Sequence, residues 1–216
     1  SSNQINQDFG ARGSLSISGK VFYDLDSSGT MNDLEMGLTG RTVQLVNTTS
    51  SSIISEVTST AGGSYQFDSI APGSYSINVV APTNWQTTNS PINFASLPTS
   101  ASDQNLGLKG QLQISGHAYF DQNANGVKDG QEPYLSNWQI QLYSASLGGI
   151  IAQKTTPADG SFSFANVAPG SYELRQALPS ADWTCKTPTG GKYTYSSLSS
   201  SQSNQDFGNH GSLSIS

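Results

Sequence analysis

The chain has 216 residues, 34% hydrophobic and only 11% charged, with a formal net charge of −6 and a sequence pI near 4.6. Nine scattered Lys and Arg are too few for a nucleic-acid surface, and no apolar run reaches the roughly 18–20 residues of a membrane span. A single cysteine, Cys185, excludes an internal disulfide framework, so apolar burial and any bound ion must hold the fold.

Read from the N-terminus, the chain declares itself a repeat. The motif Asn6-Gln-Asp-Phe9-Gly10 recurs as Asp103-Gln-Asn-Leu106-Gly107 and as Asn204-Gln-Asp-Phe207-Gly208. Each copy is followed by a three-residue hinge and a Leu-x-Ile segment, beginning at Leu15, Leu112 and Leu213. One junction thus appears three times around two bodies. Residues 1–10 read as the last strand of a preceding repeat, 11–109 and 110–210 as two repeats, and 211–216 as the first strand of a following one. The whole reads as a window on a longer array. Hinges as short as Leu108-Lys109-Gly110 restrict swing and favour a stiff rod.

Within each body the apolar period is two, the mark of half-buried strands. Leu15, Ile17, Val21 and Tyr23 are expected to face inward, alternating with Ser16, Ser18, Lys20 and Phe22. Leu112, Ile114, Ala118 and Phe120 are their counterparts. Val43 and Leu45, Tyr65 and Phe67, and Tyr75, Ile77 and Val79 continue the inward set, matched by Ile140 and Leu142, Phe162 and Phe164, and Tyr172 and Leu174. Gly62-Gly63, Pro72-Gly73, Asp159-Gly160 and Pro169-Gly170 are turns between them. No stretch sustains a helical period. The expectation is an all-β chain of tandem seven-stranded β-sandwiches.

Directly after the first strand of each repeat lies an acidic twelve-residue loop of the form D-x-[DN]-x-[SN]-G-x5-E, running from Asp24 to Glu35 and from Asp121 to Glu132. Calcium takes six to eight hard oxygens, and side chains at alternate positions of a tight loop converge on one point. The candidate ligands are Asp24, Asp26, Ser28, the Thr30 carbonyl, Asn32 and Glu35. In the second loop they are Asp121, Asn123, Asn125, the Val127 carbonyl, Asp129 and Glu132, with Gly29 and Gly126 at the sharp turns. Asp159 is a candidate additional ligand of the second site. Asp, Asn, Ser and Gly are also ordinary turn formers. However, seven of the fifteen acidic residues fall in these two loops, and so many carboxylates repel one another without a counter-ion. The metal expected is Ca2+, one per repeat; zinc would require His or Cys.

Other chemistry finds little support. His117 and His210 have no acid or nucleophile recurring at a supporting position, so no catalytic triad is assigned. Cys185 aligns with Thr87 and reads as a semi-exposed strand residue. Trp85 and Trp183, beside Pro82 and Pro179, read as a sandwich edge or as a stacking surface for a ligand. Asn47-Thr48-Thr49 is a glycosylation triplet on an expected loop.

Taken in order, S-G-x-V-F-x-D, the acidic loop, Met36-Gly37-Leu38-Thr-Gly40, G-x-Y-x-F, A-P-G-x-Y and N-Q-D-F-G resemble the SdrD B-like or Cna B-like repeats of bacterial cell-surface adhesins, from Gly13 to Gly208. The resemblance implies an Ig-like, prealbumin-like sandwich in an extracellular stalk, stiffened by calcium at the D-x-N-x-N-G loop. Some Cna B-like relatives carry a Lys–Asn isopeptide bond promoted by an acid. The corresponding positions here hold Val79 and Gln176, and Lys20 is matched by His117, so no such crosslink is expected. The function expected is a non-enzymatic structural repeat of a long secreted or cell-surface protein, forming a stalk, adhesin shaft or filament. The alternative is an adhesion module that recognises a glycan or a host protein. Candidate partners are neighbouring repeats and other copies in a filament, with no nucleic acid and no membrane insertion.

Overall fold

A computed structural model describes residues 13–211. The readings of residues 1–10 and 211–216 as parts of adjoining repeats lie outside the described residues, except for Gly211, which ends the last strand of the second repeat. The described residues divide into two compact units, residues 13–82 with 86–109, and 83–85 with 110–211.

The first repeat is built from β1 (Leu15–Tyr23), β2 (Thr42–Asn47), β3 (Ser52–Thr58), β4 (Ser64–Ile70), β5 (Tyr75–Val79), β6 (Trp85–Thr87), β7 (Ile92–Phe94) and β8 (Leu106–Gly110). Two four-stranded sheets result, in the orders β4-β1-β8-β6 and β3-β2-β5-β7. The second repeat follows the same plan with β9 (Leu112–Phe120), β10 (Gln139–Ser144), β11 (Gly149–Thr155), β12 (Ser161–Val167), β13 (Gly170–Ala177), β14 (Trp183–Thr187), β15 (Lys192–Leu198) and β16 (Phe207–Gly211). Its sheets are β12-β9-β16-β14 and β11-β10-β13-β15. Each repeat therefore has eight strands among the described residues, where seven were expected. Pro91 and Pro188 account for the difference. Proline offers no ladder donor, so the segment breaks there, with β6 and β14 left in one sheet and β7 and β15 in the other.

The opening strand pairs antiparallel with β4 and parallel with β8, with Ile17 opposite Phe67 and Val21 opposite Leu106. The same register recurs with Ile114 opposite Phe164 and Ala118 opposite Phe207. Leu108-Lys109-Gly110, expected as a hinge, is the end of β8, and only Gln111 separates it from β9. Gly110 and Gly13 sit where a Cβ would lie within 2.2 Å of the Val167 and Ile70 backbones, so close strand approach requires glycine there.

Alternation places Ile17, Val21, Val43, Leu45, Phe67, Ile77 and Leu106 in the first core. Ile114, Ala118, Ile140, Leu142, Phe164, Leu174 and Phe207 form the second, drawn from both sheets. Two inward assignments fail: Leu15 and Phe120 are only half-buried. Phe22, expected outward, is fully buried, and Tyr119 beside Phe120 is 1% exposed. The reason is the parallel neighbour. Phe22 and Tyr119 lie over Gly107 and Gly208, where an added Cβ would come 3.0 Å from the Phe22 ring and 2.5 Å from the Tyr119 hydroxyl. The glycines on β8 and β16 thus leave room for these rings to cover what would be a solvent face.

The second core also holds a polar group of its own. Asn209, fully buried, exchanges two amide hydrogen bonds with Gln176 (2.7 and 3.0 Å), and Trp138 Nε1 donates to Gln176 Oε1 at 2.7 Å. Each amide finds a partner in the other, which is the condition for burying it cheaply. Lys20 is solvent-exposed. At the end of β2, Asn47 Oδ1 accepts from the N–H groups of Thr49 and Ser50 at 2.9 and 3.0 Å, closing the turn into β3.

Leu174→Ala, at a fully buried site, is expected to cost about 2–5 kcal/mol. Ile150→Ala, at a 55% exposed edge position, should stay within about 0.5 kcal/mol. Urea unfolding of the two variants against the parent tests the assignment of the core.

Candidate metal centre

Each acidic loop begins as β1 or β9 ends, so its first carboxylate is delivered by a strand anchored on both sides. Asp24 and Asp121 are fully buried, an arrangement that is costly for a carboxylate unless donors surround it. Asp24 Oδ1 accepts from Ser28 N at 3.1 Å and Oδ2 from Gly29 N at 2.8 Å. Asp121 does the same with Asn125 N at 3.0 Å and Gly126 N at 2.7 Å. The loop backbone is thereby wound round the carboxylate, and the turn is completed by left-handed φ of +74° at Gly29 and +78° at Gly126.

The closing acids return to the start of the loop. Glu35 is 6% exposed and accepts from Leu25 N (2.9 Å) and Asn32 N (3.1 Å). Glu132, equally buried, accepts from Gln122 N (2.7 Å) and Asp129 N (3.0 Å). In the first loop one oxygen from each of Asp24, Asp26 and Glu35 lies within 4.8 Å of the others. Three anionic oxygens so close, two of them on buried residues, suit a hard cation with oxygen ligands. Backbone N–H groups offset only part of the repulsion.

The remaining predicted ligands have mixed placements. Ser28 Oγ donates to the Thr30 carbonyl at 3.0 Å, bringing positions five and seven together. Asn32 turns its nitrogen to Asp26 Oδ2 (3.2 Å) and its oxygen to Leu34 N (2.9 Å), bracing the carboxylate rather than adding an oxygen beside it. In the second loop Asn123 and Asn125 both donate to Asp129 Oδ2, at 2.7 and 3.0 Å. Val127 takes the turn with its N–H on Asn125 Oδ1 at 2.7 Å. The second loop therefore carries amides at positions three and five, where the first has a carboxylate and a hydroxyl. Asp159 is not gathered in: its Oδ1 accepts from Ser161 N and Oγ at 3.0 and 2.7 Å, capping its own turn.

Sequence reasoning missed the residues that fasten each loop to the sandwich. Asn89 Nδ2 donates to the carbonyls of Gly29 and Asn105, both at 2.8 Å, and its Oδ1 accepts from Gly107 N at 2.8 Å. One side chain thus joins the loop, the approach to β8 and β8 itself. In the second repeat Thr187 Oγ1 donates to the Gly126 carbonyl at the limit of close approach. Asn and Thr differ in type and lie some sixty residues from their loops, so no local motif marks them. Their only shared signal is a place just ahead of Pro91 and Pro188. His210 adds a further tie, with Nδ1 2.9 Å from the Asp121 carbonyl and its ring stacked on Phe120.

Trp85 is 8% exposed, and Trp183 packs edge-on against Trp138 (4.9 Å) and Phe120 (5.8 Å). Both belong to the packing, not to an open stacking surface. Cys185 is half-buried, and burial pushes its thiol up to about 11, far from thiolate chemistry at neutral pH.

Hydrogen bonding from Ser28, side chain first and backbone second, holds the Asp26 carboxyl below its ordinary value of 3.8. The stabilisation this represents is complete above that ordinary value and is lost as pH falls through the depressed one. An NMR titration of the metal-free chain should place the Asp26 midpoint under 3.8, and a midpoint above it would contradict the Ser28 contacts. Asn89→Ala leaves the Gly107 N–H and two carbonyls without their partner. It should destabilise the first repeat by about 1–3 kcal/mol in urea unfolding.

The SdrD B-like domain model matches residues 15–111 and again residues 112–207. Colossin-B of Dictyostelium discoideum is 28% identical over 228 residues, covering 84% of this chain and 6% of that protein. Serine-aspartate repeat-containing protein F of Staphylococcus epidermidis is 26% identical over 189 residues, covering 76% of this chain and 11% of that protein. Among solved structures, the Bacillus anthracis TIE protein superposes with a TM-score of 0.49 at 14% identity, covering 93% of this chain and 34% of that one. The chain spans a small fraction of the curated relatives it matches. With the same family model accounting for both repeats almost from end to end, the chain belongs to the SdrD B-like domain family, as two successive copies.

Proposed function

We propose that this chain is a calcium-stiffened structural segment of a long secreted or cell-surface protein, acting as part of a stalk, adhesin shaft or filament. The observation that carries the reading is the convergence of Asp24, Asp26 and Glu35 where the buried β1 ends. A cation there would neutralise the carboxylates and hold the loop against the sheet through Gly29 and Asn89. In the second repeat the same role would fall to Asp121, Asp129 and Glu132 with the amides of Asn123 and Asn125. Each set supplies three carboxylates, so by the number of charged ligands the two sites rank equally.

The recurrence of the domain supports the structural part of the reading. The domain recurs head to tail, and its relatives hold it within proteins many times longer. Among the described residues no helix is long and apolar enough to cross a membrane. The adhesion-module alternative draws no specific support, because the tryptophans it would use are engaged in packing.

At millimolar calcium a site with a Kd of about 10⁻⁴ M would add about 1.4 kcal/mol of stability. For a sandwich of this size that corresponds to a rise of roughly 5–10 °C in Tm. Calorimetry should show Tm falling on chelation and recovering with calcium but not with magnesium. Superimposable melting curves with and without chelator would remove calcium from the proposal.

A further inference from the structure

The two loops differ in the residue ahead of the turn glycine: Ser28 precedes Gly29, but Asn125 precedes Gly126. An asparagine followed by glycine is open to attack by the next backbone nitrogen, because glycine has no Cβ to block the approach. We propose that Asn125 is a deamidation site that the closed loop holds inert and that an opened loop releases. The second repeat then carries a one-way covalent change that the first, with serine at this position, cannot undergo.

The chemistry needs water alone. The Gly126 nitrogen attacks Asn125 Cγ, a new C–N bond closes a five-membered succinimide, and the Cγ–Nδ2 bond breaks. The nitrogen departs as ammonia, taking up the proton that Gly126 N gives up. Water then opens the ring at one of its two carbonyls. Opening at Cγ yields aspartate, and opening at the main-chain carbonyl yields isoaspartate. Nothing is oxidised or reduced.

The folded loop ties down each participant. The Gly126 N–H, which must be freed to attack, donates to Oδ2 of the fully buried Asp121 at 2.7 Å. The Asn125 carboxamide is committed at both ends: Oδ1 accepts from Val127 N at 2.7 Å and Nδ2 donates to Asp129 Oδ2 at 3.0 Å. The Asn125 N–H is itself held by Asp121 Oδ1 and Asn123 Oδ1, both at 3.0 Å. On the far side, Thr187 Oγ1 bonds the Gly126 carbonyl, so the peptide plane that follows the reacting one is held from β14. Reaction therefore waits on local opening, whose free energy sets the fraction of time the nitrogen is available.

Both products alter the loop. Aspartate at this position adds a fourth carboxylate to Asp121, Asp129 and Glu132 and removes a donor to Asp129, so repulsion in the loop rises. Isoaspartate inserts a methylene into the main chain and breaks the spacing that brings Glu132 back to Gln122 N. The inference requires no bound cation.

The test uses the 216-residue chain in chelator at mildly alkaline pH, incubated folded and in urea. Cleavage after Lys109 and Lys128 isolates residues 110–128, which contain Asn125 but neither Asp129-Gly130 nor Asp159-Gly160. Fragmentation mass spectrometry and isoaspartyl methyltransferase labelling of this peptide report conversion at Asn125. Conversion is expected in urea and should be slower in the folded chain by roughly tenfold or more. Thr187→Val, which removes the bond to the Gly126 carbonyl together with the hydroxyl's contact with Tyr119, should speed conversion in the folded chain. Equal rates folded and unfolded, conversion at Asn123 in place of Asn125, or no conversion in urea would each overturn the inference. Because the comparison of folded and unfolded parent chain stands alone, a Thr187 variant that fails to fold does not blunt it.

Discussion

A carboxylate buried at the end of a strand organises each repeat. Asp24 and Asp121 have no exposed surface, and each collects two N–H groups from the loop that follows it. An anion so placed must be fully surrounded, because leaving it short of donors would cost several kcal/mol. That requirement winds the loop and places its glycine. It also brings Glu35 or Glu132 back to the strand end, where each accepts two more N–H groups.

The loop is consequently part of the sandwich. Asn89 bonds both the Gly29 carbonyl and the Gly107 N–H, so displacement of the loop is felt in β8. Because β8 pairs in parallel with β1, the strand that leads into the loop and the strand that senses it are neighbours. A charge bound in the loop would then act on the closure of the sheet, a mechanical effect suited to a structural repeat. The second repeat meets the same need with a single hydroxyl from Thr187 and a contact from His210 to the Asp121 carbonyl. The plan is the same in both repeats while the side chains differ, so the backbone carbonyl of the turn glycine is the point to be held.

The cores differ in a comparable way. Leu108 lies buried in β8, whereas the matching Asn209 in β16 pairs with Gln176 and, through it, with Trp138. A lone buried amide would be destabilising, but a reciprocal pair with an indole donor is satisfied. Gln176 in place of Val79 and Asn209 in place of Leu108 therefore belong together: either alone would leave polar atoms unpaired.

Much of this architecture is legible in the order of residues alone. Period-two alternation places Ile17, Val43, Phe67 and Ile77, and the repeat itself sets the plan of both halves. The oxygen spacing of the loops identifies Asp24, Asp26 and Glu35 as neighbours, because a tight turn of fixed length allows few other outcomes. Phe22 and Tyr119 escape the alternation rule because it assumes an open outer face, and here a glycine on the parallel neighbour lets a ring cover it. Asn89 and Thr187 are invisible to it because their contacts join segments about sixty residues apart through backbone atoms, which carry no sequence signature. Local spacing, then, determined the fold class, the repeat and the acidic loops, since those follow from chain geometry over a few residues. Only the tertiary structure decided the eighth strand, the fastening of each loop and the amide pair in the second core, because each depends on which distant backbone comes within hydrogen-bond reach.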